Sequence, residues 1–387
     1  MVQRSWWQRP QIRTDEEEDQ ERKASWLELF FDLIFVAVIA ELAHDLSNHI
    51  SLAGVGKFIL LFIPVYWVWI GATYYNERFE TEGLENRIFT FVQMLPVAGL
   101  AVFAHYGLSK TSVAFALCYA SARLLTTVLW FLAGIHEPSF RPTARWFVTG
   151  FSIAISLFVI SVFVPPPGRF ILWIIGLLID VLTPIFTIEH QASLPKFSTS
   201  KLPERYGLFM IIVLGESVFG TVHGLAEQET LTFLTGLTGV LGMSLAFGMW
   251  AIYFDFIARR YPRQNMVSSF AWAYLHLPLV ISITATGAGI LRAIAFGGET
   301  LPDEVRILIV SALSLALALV GIIETTLHRH EHEPTHPRFS PALKLGGAAF
   351  AMAVGLSSLI TSPILLLIML LCVIAVQIAY GLVVWFA

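Results

Sequence analysis

Residues 26–46 read WLELFFDLIFVAVIAELAHDL, an apolar run long enough to cross a bilayer as a helix. Comparable runs of about 20 residues recur as far as the C-terminus. The 387 residues are 56% hydrophobic and only 13% charged, whereas an ordinary soluble domain carries about 25% charged residues. The sequence therefore predicts an all-α polytopic membrane protein, with the lipid bilayer as its surroundings and no soluble enzyme domain.

Breaks at Gly, Pro and clusters of charge divide the chain into twelve predicted transmembrane spans. The predicted spans are 26–46, 55–75, 88–107, 112–135, 144–164, 169–190, 204–224, 232–257, 267–291, 305–327, 342–361 and 364–386. A charged tail over residues 1–25 precedes the first span, so we expect that span to be retained and not cleaved as a signal peptide.

The distribution of positive charge predicts the orientation of the spans. If the N-terminus is inside, most of the 24 Lys and Arg residues fall on inner segments, and cytoplasmic loops are the ones that collect these residues. We therefore expect a multi-pass protein of the inner (plasma) membrane with both termini in the cytoplasm.

The first predicted span can be aligned with the seventh, and the similarity continues beyond them. Glu41 then matches Glu216, Tyr74–Asn76 matches Tyr253–Asp255, and Pro96 matches Pro278. The matched positions keep a nearly constant offset of about 180 residues, as a duplication would leave. The alignment predicts two parallel-oriented six-helix repeats, 26–190 and 204–387, joined by a cytoplasmic linker over 191–203. Chance similarity between apolar helices is the alternative, and the matched acids weigh against it.

Several motifs resemble one family of membrane proteins. They are WLELFFDLIFV at 26–36, Trp69 with YYNERFET at 74–81, ERYGLFMIIVLGES at 204–217, Ile188–His190, Trp250, and His276–Pro278. This pattern is similar to that of the low-temperature-requirement A family of bacterial membrane proteins, over nearly the whole chain after the tail. The family name refers to growth in the cold, and the resemblance implies no particular activity and no set of functional residues.

A second similarity concerns residues 28–36, ELFFDLIFV, which look like the Phe-Ser-Asp signature of the lysosomal potassium and proton channel family. That family uses six-helix units whose first helix lines the pore. Phe31 stands here in place of the Ser, and Gly207 stands in place of the Asp in the second half. The resemblance therefore implies a related arrangement and not an identical pore.

Charged and titratable side chains inside the spans are the candidate functional residues. Such a charge near the bilayer centre costs ~2.5 to 3.5 kcal/mol, so each is expected to have a partner, water or a function. The candidates near the middle of a span, or about two thirds of the way across it, are Glu41, Glu216, Asp180, Arg123 and His276. Arg123 could pair with one carboxylate, and the other acids would then need protonation or His276 as a partner.

Our hypothesis is that Glu41 and Glu216 face each other and line a polar pathway for a proton, a cation or a small solute. Buried structural ion pairs are the alternative. On the seventh span Glu216, Gly220 and His223 share one helix face.

Other polar residues are expected nearer the cytoplasm. Asp32 lies one turn inside the first span and could brace it, and Asp180 precedes a Pro that could kink the sixth span into a binding point. Asn76, Arg78 and Asp255 are expected at the inner mouth of the pathway, more as structural ion pairs than as gates.

Other functional classes have weaker signals. The loop at 328–336 contains four histidines, which favour a solvated, pH-responsive segment over a metal site, and no nucleotide or cofactor motif is present. We expect no cofactor, no metal and no nucleic acid partner, a small ion or solute as ligand, and a chain compatible with homo-oligomers. A transporter or channel that is not an enzyme is the leading interpretation. The alternatives are a non-catalytic membrane factor for cold or stress tolerance, and a membrane enzyme using Glu189, His190, Glu204 and Arg205.

Overall fold

The computed structural model describes residues 9–12, 24–80, 83–330, 332–357 and 360–386. In these residues the chain is almost wholly helical. The helices are α1 (Trp26–Asn48), α2 (Leu52–Arg78), α3 (Leu84–Ala104), α4 (Ser112–His136), α5 (Arg141–Ser161), α6 (Gly168–Phe186), α7 (Ile188–Ala192), α8 (Lys201–Ala226), α9 (Phe233–Tyr253), α10 (Met266–Ile294), α11 (Asp303–Glu324), α12 (Phe339–Gly355) and α13 (Pro363–Phe386). A π-helical turn over Phe254–Ala258 continues α9.

Polar residues just ahead of three helices explain where those helices begin. At α1 the Ser25 hydroxyl accepts from the Glu28 amide at 3.2 Å, and the Glu28 carboxylate accepts from the Ser25 amide at 2.8 Å. This reciprocal pair is a capping box, which satisfies amides that have no partner within the helix. Thr232 before α9 and Asn265 before α10 each accept from the amide three residues further on, at 3.1 and 2.8 Å.

Ten of the described helices are long and apolar enough to cross a membrane. Two helices at predicted spans differ from these ten: α1 carries the acids Glu28, Asp32, Glu41 and Asp45, and α12 has only 17 residues. Each predicted span overlaps a helix, so the all-α class is confirmed and the chain is a multi-pass membrane protein. The count of twelve spans and the two repeats stay predictions.

Helix α6 shows how these helices suit lipid. One face of α6 exposes large apolar side chains, namely Ile171, Ile174, Ile175, Leu178, Leu182 and Ile185. The opposite face buries Trp173, Gly176 and Asp180. Water would not tolerate an apolar stripe of this length, whereas the hydrocarbon core of a bilayer does.

The predicted sixth span, 169–190, is wrong at its C-terminal end. Helix α6 stops at Phe186, and the short α7 follows from Ile188. The Thr187 hydroxyl donates to the Pro184 carbonyl at 2.8 Å, and the side-chain amide of Gln191 donates to the Thr187 hydroxyl at 2.8 Å. These side chains satisfy groups left without partners at the helix end, so the chain can change direction there.

The helices are distributed over two compact units. The first consists of the described residues of Met1–Leu42 together with Ile59–Arg205, and the second of Ala43–Phe58 together with Tyr206–Ala387. In the first unit α4 packs against α3 and α5, and α5 packs against α6. In the second, α10 packs against α9 and α11, α12 against α11 and α13, and α13 against α9.

An aromatic cluster forms the core of the first unit near the end of α2. Trp130 lies 5.3 Å from Tyr75 and 5.0 Å from Phe147 between ring centroids, in edge-to-face geometry. Ile12 packs against this cluster, because the strand Gln11–Ile12 (β1) pairs in antiparallel fashion with Phe79–Glu80 (β2). The described part of the N-terminal tail is thereby held against the end of α2.

Candidate functional site

The first charged cluster joins the N-terminal ends of α1 and α8. The Arg205 guanidinium lies 2.7 Å from an Asp32 oxygen and 3.1 Å from a Glu28 oxygen. The Lys201 ammonium lies 3.0 Å from the same Glu28 oxygen. The Trp69 indole N–H from α2 donates to Asp32 at 2.9 Å. Two acids that lie one helical turn apart therefore share two cations, and Asp32 braces three helices.

The residues predicted at the inner mouth make local structural contacts. Arg78 donates to the Pro195 carbonyl and stacks over the Phe197 ring at 3.9 Å. The Asn76 carbonyl accepts from the Lys201 ammonium at 3.3 Å. In the second unit Asp255 lies in the π-helical turn and pairs with Arg259 at 3.1 Å.

A second cluster is buried between α4 and α6. The Arg123 side chain donates to both oxygens of Asp180, with Nε at 2.8 Å from Oδ2. The Tyr119 hydroxyl also donates to Asp180, and the Phe151 ring lies under the guanidinium at 4.4 Å. Arg123 and Asp180 are each no more than 1% exposed. The bidentate pair neutralises both charges, which is how a membrane interior tolerates them.

This pair depends on a close approach by α2 at Gly71. A Cβ atom at Gly71 would lie 2.4 Å from Arg123 Nη1, whereas a Cβ at Gly56 in the same helix would meet nothing within 4 Å. We expect Gly71→Ala to displace the guanidinium and to cost about 1 to 3 kcal/mol of stability. Gly56→Ala is the matched control and should be nearly neutral. Thermal unfolding of the two variants in detergent tests this expectation, which fails if both melt like the native protein.

His276 has both ring nitrogens engaged in the second unit. Its Nδ1 donates to the Trp272 carbonyl at 2.7 Å, and its Nε2 accepts from the Tyr253 hydroxyl at 3.0 Å. The Tyr206 ring packs on it with centroids 4.7 Å apart. His276 is 1% exposed, and no carboxylate in the described residues is bonded to it. The geometry is that of a neutral imidazole in a closed aromatic pocket.

A third cluster was not singled out from the sequence. One Glu324 oxygen lies 3.0 Å from the Arg260 guanidinium, and the other lies 3.0 Å from the Lys344 ammonium and accepts from the Ser340 hydroxyl at 2.9 Å. The Lys344 ammonium also lies over the Phe256 ring at 3.6 Å. The available signal was an acid, Glu324, inside the predicted span 305–327. The two cations, Arg260 and Lys344, are both buried in the structure.

Neutralising Glu324 should loosen this cluster. We expect Glu324→Gln to cost about 1.5 to 3 kcal/mol, because hydrogen bonds to two buried cations are weakened. Glu304→Gln is the control, since Glu304 is an exposed acid in the first turn of the same helix. Equal melting temperatures for the two variants would contradict the structural role of Glu324.

Glu41, in the first unit, is only partly enclosed. Its carboxylate lies 3.3 Å from the His105 ring nitrogen, and its side chain is 36% exposed. Glu41 is thus the more accessible of the two glutamates that the sequence alignment matched.

Glu216 lies in α8 and is buried, with 8% of its surface exposed. It has no hydrogen bond and no ion pair with any residue in the described ranges. Within the second unit α10 approaches other positions of α8: a Cβ at Gly287 would lie 2.5 Å from Ser217 Oγ, and a Cβ at Gly224 would lie 2.7 Å from Leu291. Whether Glu41 faces Glu216 stays a prediction.

The residues of the possible enzyme site and of the histidine loop differ in their exposure. Glu189 and His190 are exposed, whereas Arg205 is buried and bonded to Glu28 and Asp32. The His328 ring stacks on Tyr261 with centroids 4.9 Å apart. In the described part of the chain no group of three or more His, Cys, Asp or Glu side chains is placed to hold a metal ion.

Two comparisons with known proteins indicate the family of this chain. An uncharacterized protein of Rhizobium meliloti is 29% identical over 301 residues, which is 70% of this chain and 70% of that protein. The model of the bacterial low temperature requirement A protein (LtrA) family matches residues 23–380, a range that starts before α1 and ends within α13. The chain therefore belongs to the bacterial LtrA family.

Proposed function

We propose that this LtrA protein is a transporter or channel for a proton, a cation or a small solute, in which Glu216 supplies a binding carboxylate inside the bilayer. One observation carries the proposal. Asp32, Asp180 and Glu324 are all bonded to Arg or Lys, whereas Glu216 has no such partner in the described residues although it is 8% exposed.

The free-energy cost of burying an unpaired carboxylate at Glu216 supports a functional role for this residue. An ionised side chain within a span is unfavourable by ~2.5 to 3.5 kcal/mol unless it is solvated or paired. The chain pairs the buried acids Asp32, Asp180 and Glu324 with cations, so the lack of a partner at Glu216 in the described residues is not a general property of its helices. A carboxylate kept available in this way can bind and release a positively charged species or a hydrogen-bond donor.

The proposal also includes Glu41 and the orientation of the spans in the membrane. We place Glu41 on the same pathway, because it matches Glu216 in the alignment of the two halves and is partly accessible beside His105. We assign Asp180, Arg123 and Asp32 to holding helices together, since each is bonded to a fixed partner. The excess of Lys and Arg on alternate loops supports an inner-membrane protein with both termini in the cytoplasm.

Flux through reconstituted protein tests the proposal. Purified protein is placed in liposomes, and internal pH and the movement of Na⁺, K⁺ and small organic solutes are followed after a gradient is imposed. We expect transport of at least one species above that of protein-free liposomes. Failure to move every member of the panel, with protein that is monodisperse and folded, would overturn the proposal.

A second candidate is a non-catalytic membrane factor for cold or stress tolerance. The buried ion clusters around Asp180 and Glu324 favour it, because they join helices without opening a path. If this candidate is correct, growth in the cold depends on the stability or assembly of the protein and not on flux through it.

A further inference from the structure

One face of α8 carries titratable groups from Glu216 to the C-terminal end of the helix. At 100° per residue, Glu216, Gly220, His223 and Glu227 point within about 60° of one another. Glu227 follows the last helical residue and continues the pattern, since its amide donates to the His223 carbonyl at 3.0 Å. In the orientation proposed above this end of α8 is the outer one.

His223 contacts Glu227 at the C-terminal end of α8 and lies near His44 of α1. Its Nε2 lies 3.1 Å from a Glu227 oxygen, and the His223 and Glu227 side chains are 43% and 56% exposed. The His44 ring on α1 lies 6.1 Å from the His223 ring between centroids. The Asn48 amide donates to His44 Nε2 at 3.1 Å, which leaves Nδ1 as the donor of the neutral His44 ring.

Two helices near His223 contribute other side chains. Helix α1 contributes a charged group that is already paired, and α10 contributes an apolar side chain. Asp45 on α1 is paired with Lys57 at 2.8 Å and lies 3.5 Å from His49. Helix α10 presents Leu291 to α8, at Gly220 and Gly224. Among the described residues, the titratable side chains beside His223 are therefore Glu227, at 3.1 Å, and His44, at 6.1 Å between ring centroids.

Between Glu216 and His223 this face of α8 carries no side chain, because the residue there is Gly220. The two residues are two helical turns apart, or about 10 Å along the axis, which is too far for direct proton transfer. Gly220 lies between them. The nearest atoms to a Cβ built at Gly220 belong to Leu291, at 3.9 and 4.0 Å. No side chain of α8 lies within 4 Å of that Cβ, and Leu291 covers the position at van der Waals distance. A water that connects the carboxylate with the imidazole therefore has to enter where the Leu291 side chain moves aside.

We propose that the species carried through Glu216 is the proton, and that His223, with Glu227 and His44 beside it, relays protons between the outer aqueous phase and Glu216. This inference rests on the proposed function. In the inward step the imidazolium N–H bond of His223 breaks, the proton passes through water, and an O–H bond forms on the Glu216 carboxylate. The reverse step releases it.

The surroundings of Glu216 favour a proton over a metal cation. A dehydrated metal cation needs several oxygen ligands. In the described residues no group of three or more His, Cys, Asp or Glu side chains is placed to hold one. A proton needs a single acceptor, which one carboxylate supplies. The histidine is the side chain best suited to pass protons near neutral pH.

Two pairs of variants test the relay in proteoliposomes that contain a pH-sensitive dye. We expect His223→Ala to lower the initial rate of proton flux by about tenfold or more, and added imidazole to restore part of the rate, because it replaces the missing proton carrier. His49→Gln is the control for His223 and should keep the native rate. Gly220→Leu fills the space between the two groups and should block flux. Gly215→Leu should not, since a Cβ at Gly215 meets nothing within 4 Å.

The outcomes separate the relay from the proposed function. Native rates for both His223→Ala and Gly220→Leu would overturn the relay, and loss of flux in Glu216→Gln would still support Glu216 as the carrier site. Flux of Na⁺ or K⁺ without protons would overturn the proton assignment and leave a transporter. A slow His223→Ala variant that imidazole does not rescue, but whose melting temperature has fallen, would also count against the relay.

Discussion

Glu216→Gln should stop transport and leave the protein at least as stable as before. Gln has nearly the same size as Glu but neither gains a proton nor carries a charge, so transport should fall by about a hundredfold or more, the scale on which a positioned proton-transfer group acts. Because Glu216 has no hydrogen bond or ion pair in the described residues, the substitution breaks no bonded partner. Removing a charge that is 8% exposed should leave the melting temperature unchanged or raise it.

This combination of lost transport and kept stability distinguishes a functional acid from a structural one. Flux in liposomes and thermal unfolding in detergent are measured on the same preparation. Glu304→Gln, an exposed acid in α11, serves as the control and should match the native protein in both measurements. If Glu216→Gln transports normally, or melts well below the native protein, then Glu216 has a structural role and the proposed function loses its main support.

Asp180→Asn should have the largest effect on stability. The substitution leaves the Arg123 guanidinium buried without its counter-charge, and removing one partner of a buried ion pair typically costs about 3 to 5 kcal/mol. The Tyr119 hydroxyl loses a charged acceptor as well. We expect a clear fall in melting temperature, and flux per folded molecule close to that of the native protein.

Replacing both partners provides the control for this prediction. Arg123→Met combined with Asp180→Leu removes both charges and fills a similar volume, so it should recover much of the stability lost in Asp180→Asn. If the double variant is no more stable than Asp180→Asn, the pair contributes more than mutual neutralisation. A double variant that folds but has lost transport would place Asp180 on the pathway, as the sequence analysis allowed.

The helices were predictable because hydropathy reports burial in lipid directly. Each predicted span overlaps a helix, and the capping box at Ser25 and Glu28 is visible in the sequence as Ser-x-x-Glu. The break at Thr187 was missed, because the span was extended through an apolar stretch that side-chain hydrogen bonds interrupt.

The positions of the charged residues inside the spans could be predicted from the sequence, but the residues that pair with them could not. An acid inside a span can be found from one sequence, since it is rare there. Its partner is set by tertiary packing: Asp180 is 57 residues from Arg123, and Asp32 is 173 residues from Arg205. Either Arg could have paired with any of the acids. The same reason explains why the cluster around Glu324 was overlooked, since its partner Arg260 is 64 residues away.

The most direct test follows the protonation of Glu216 itself. Infrared difference spectra are recorded on the protein in lipid as the buffer is changed between acid and alkaline pH, for the native protein and for Glu216→Gln. We expect a carbonyl band of a protonated carboxyl group in the native protein that is missing from Glu216→Gln under the conditions in which transport is lost. Identical difference spectra for the two proteins would mean that Glu216 does not exchange a proton, which rules out proton transfer through this residue.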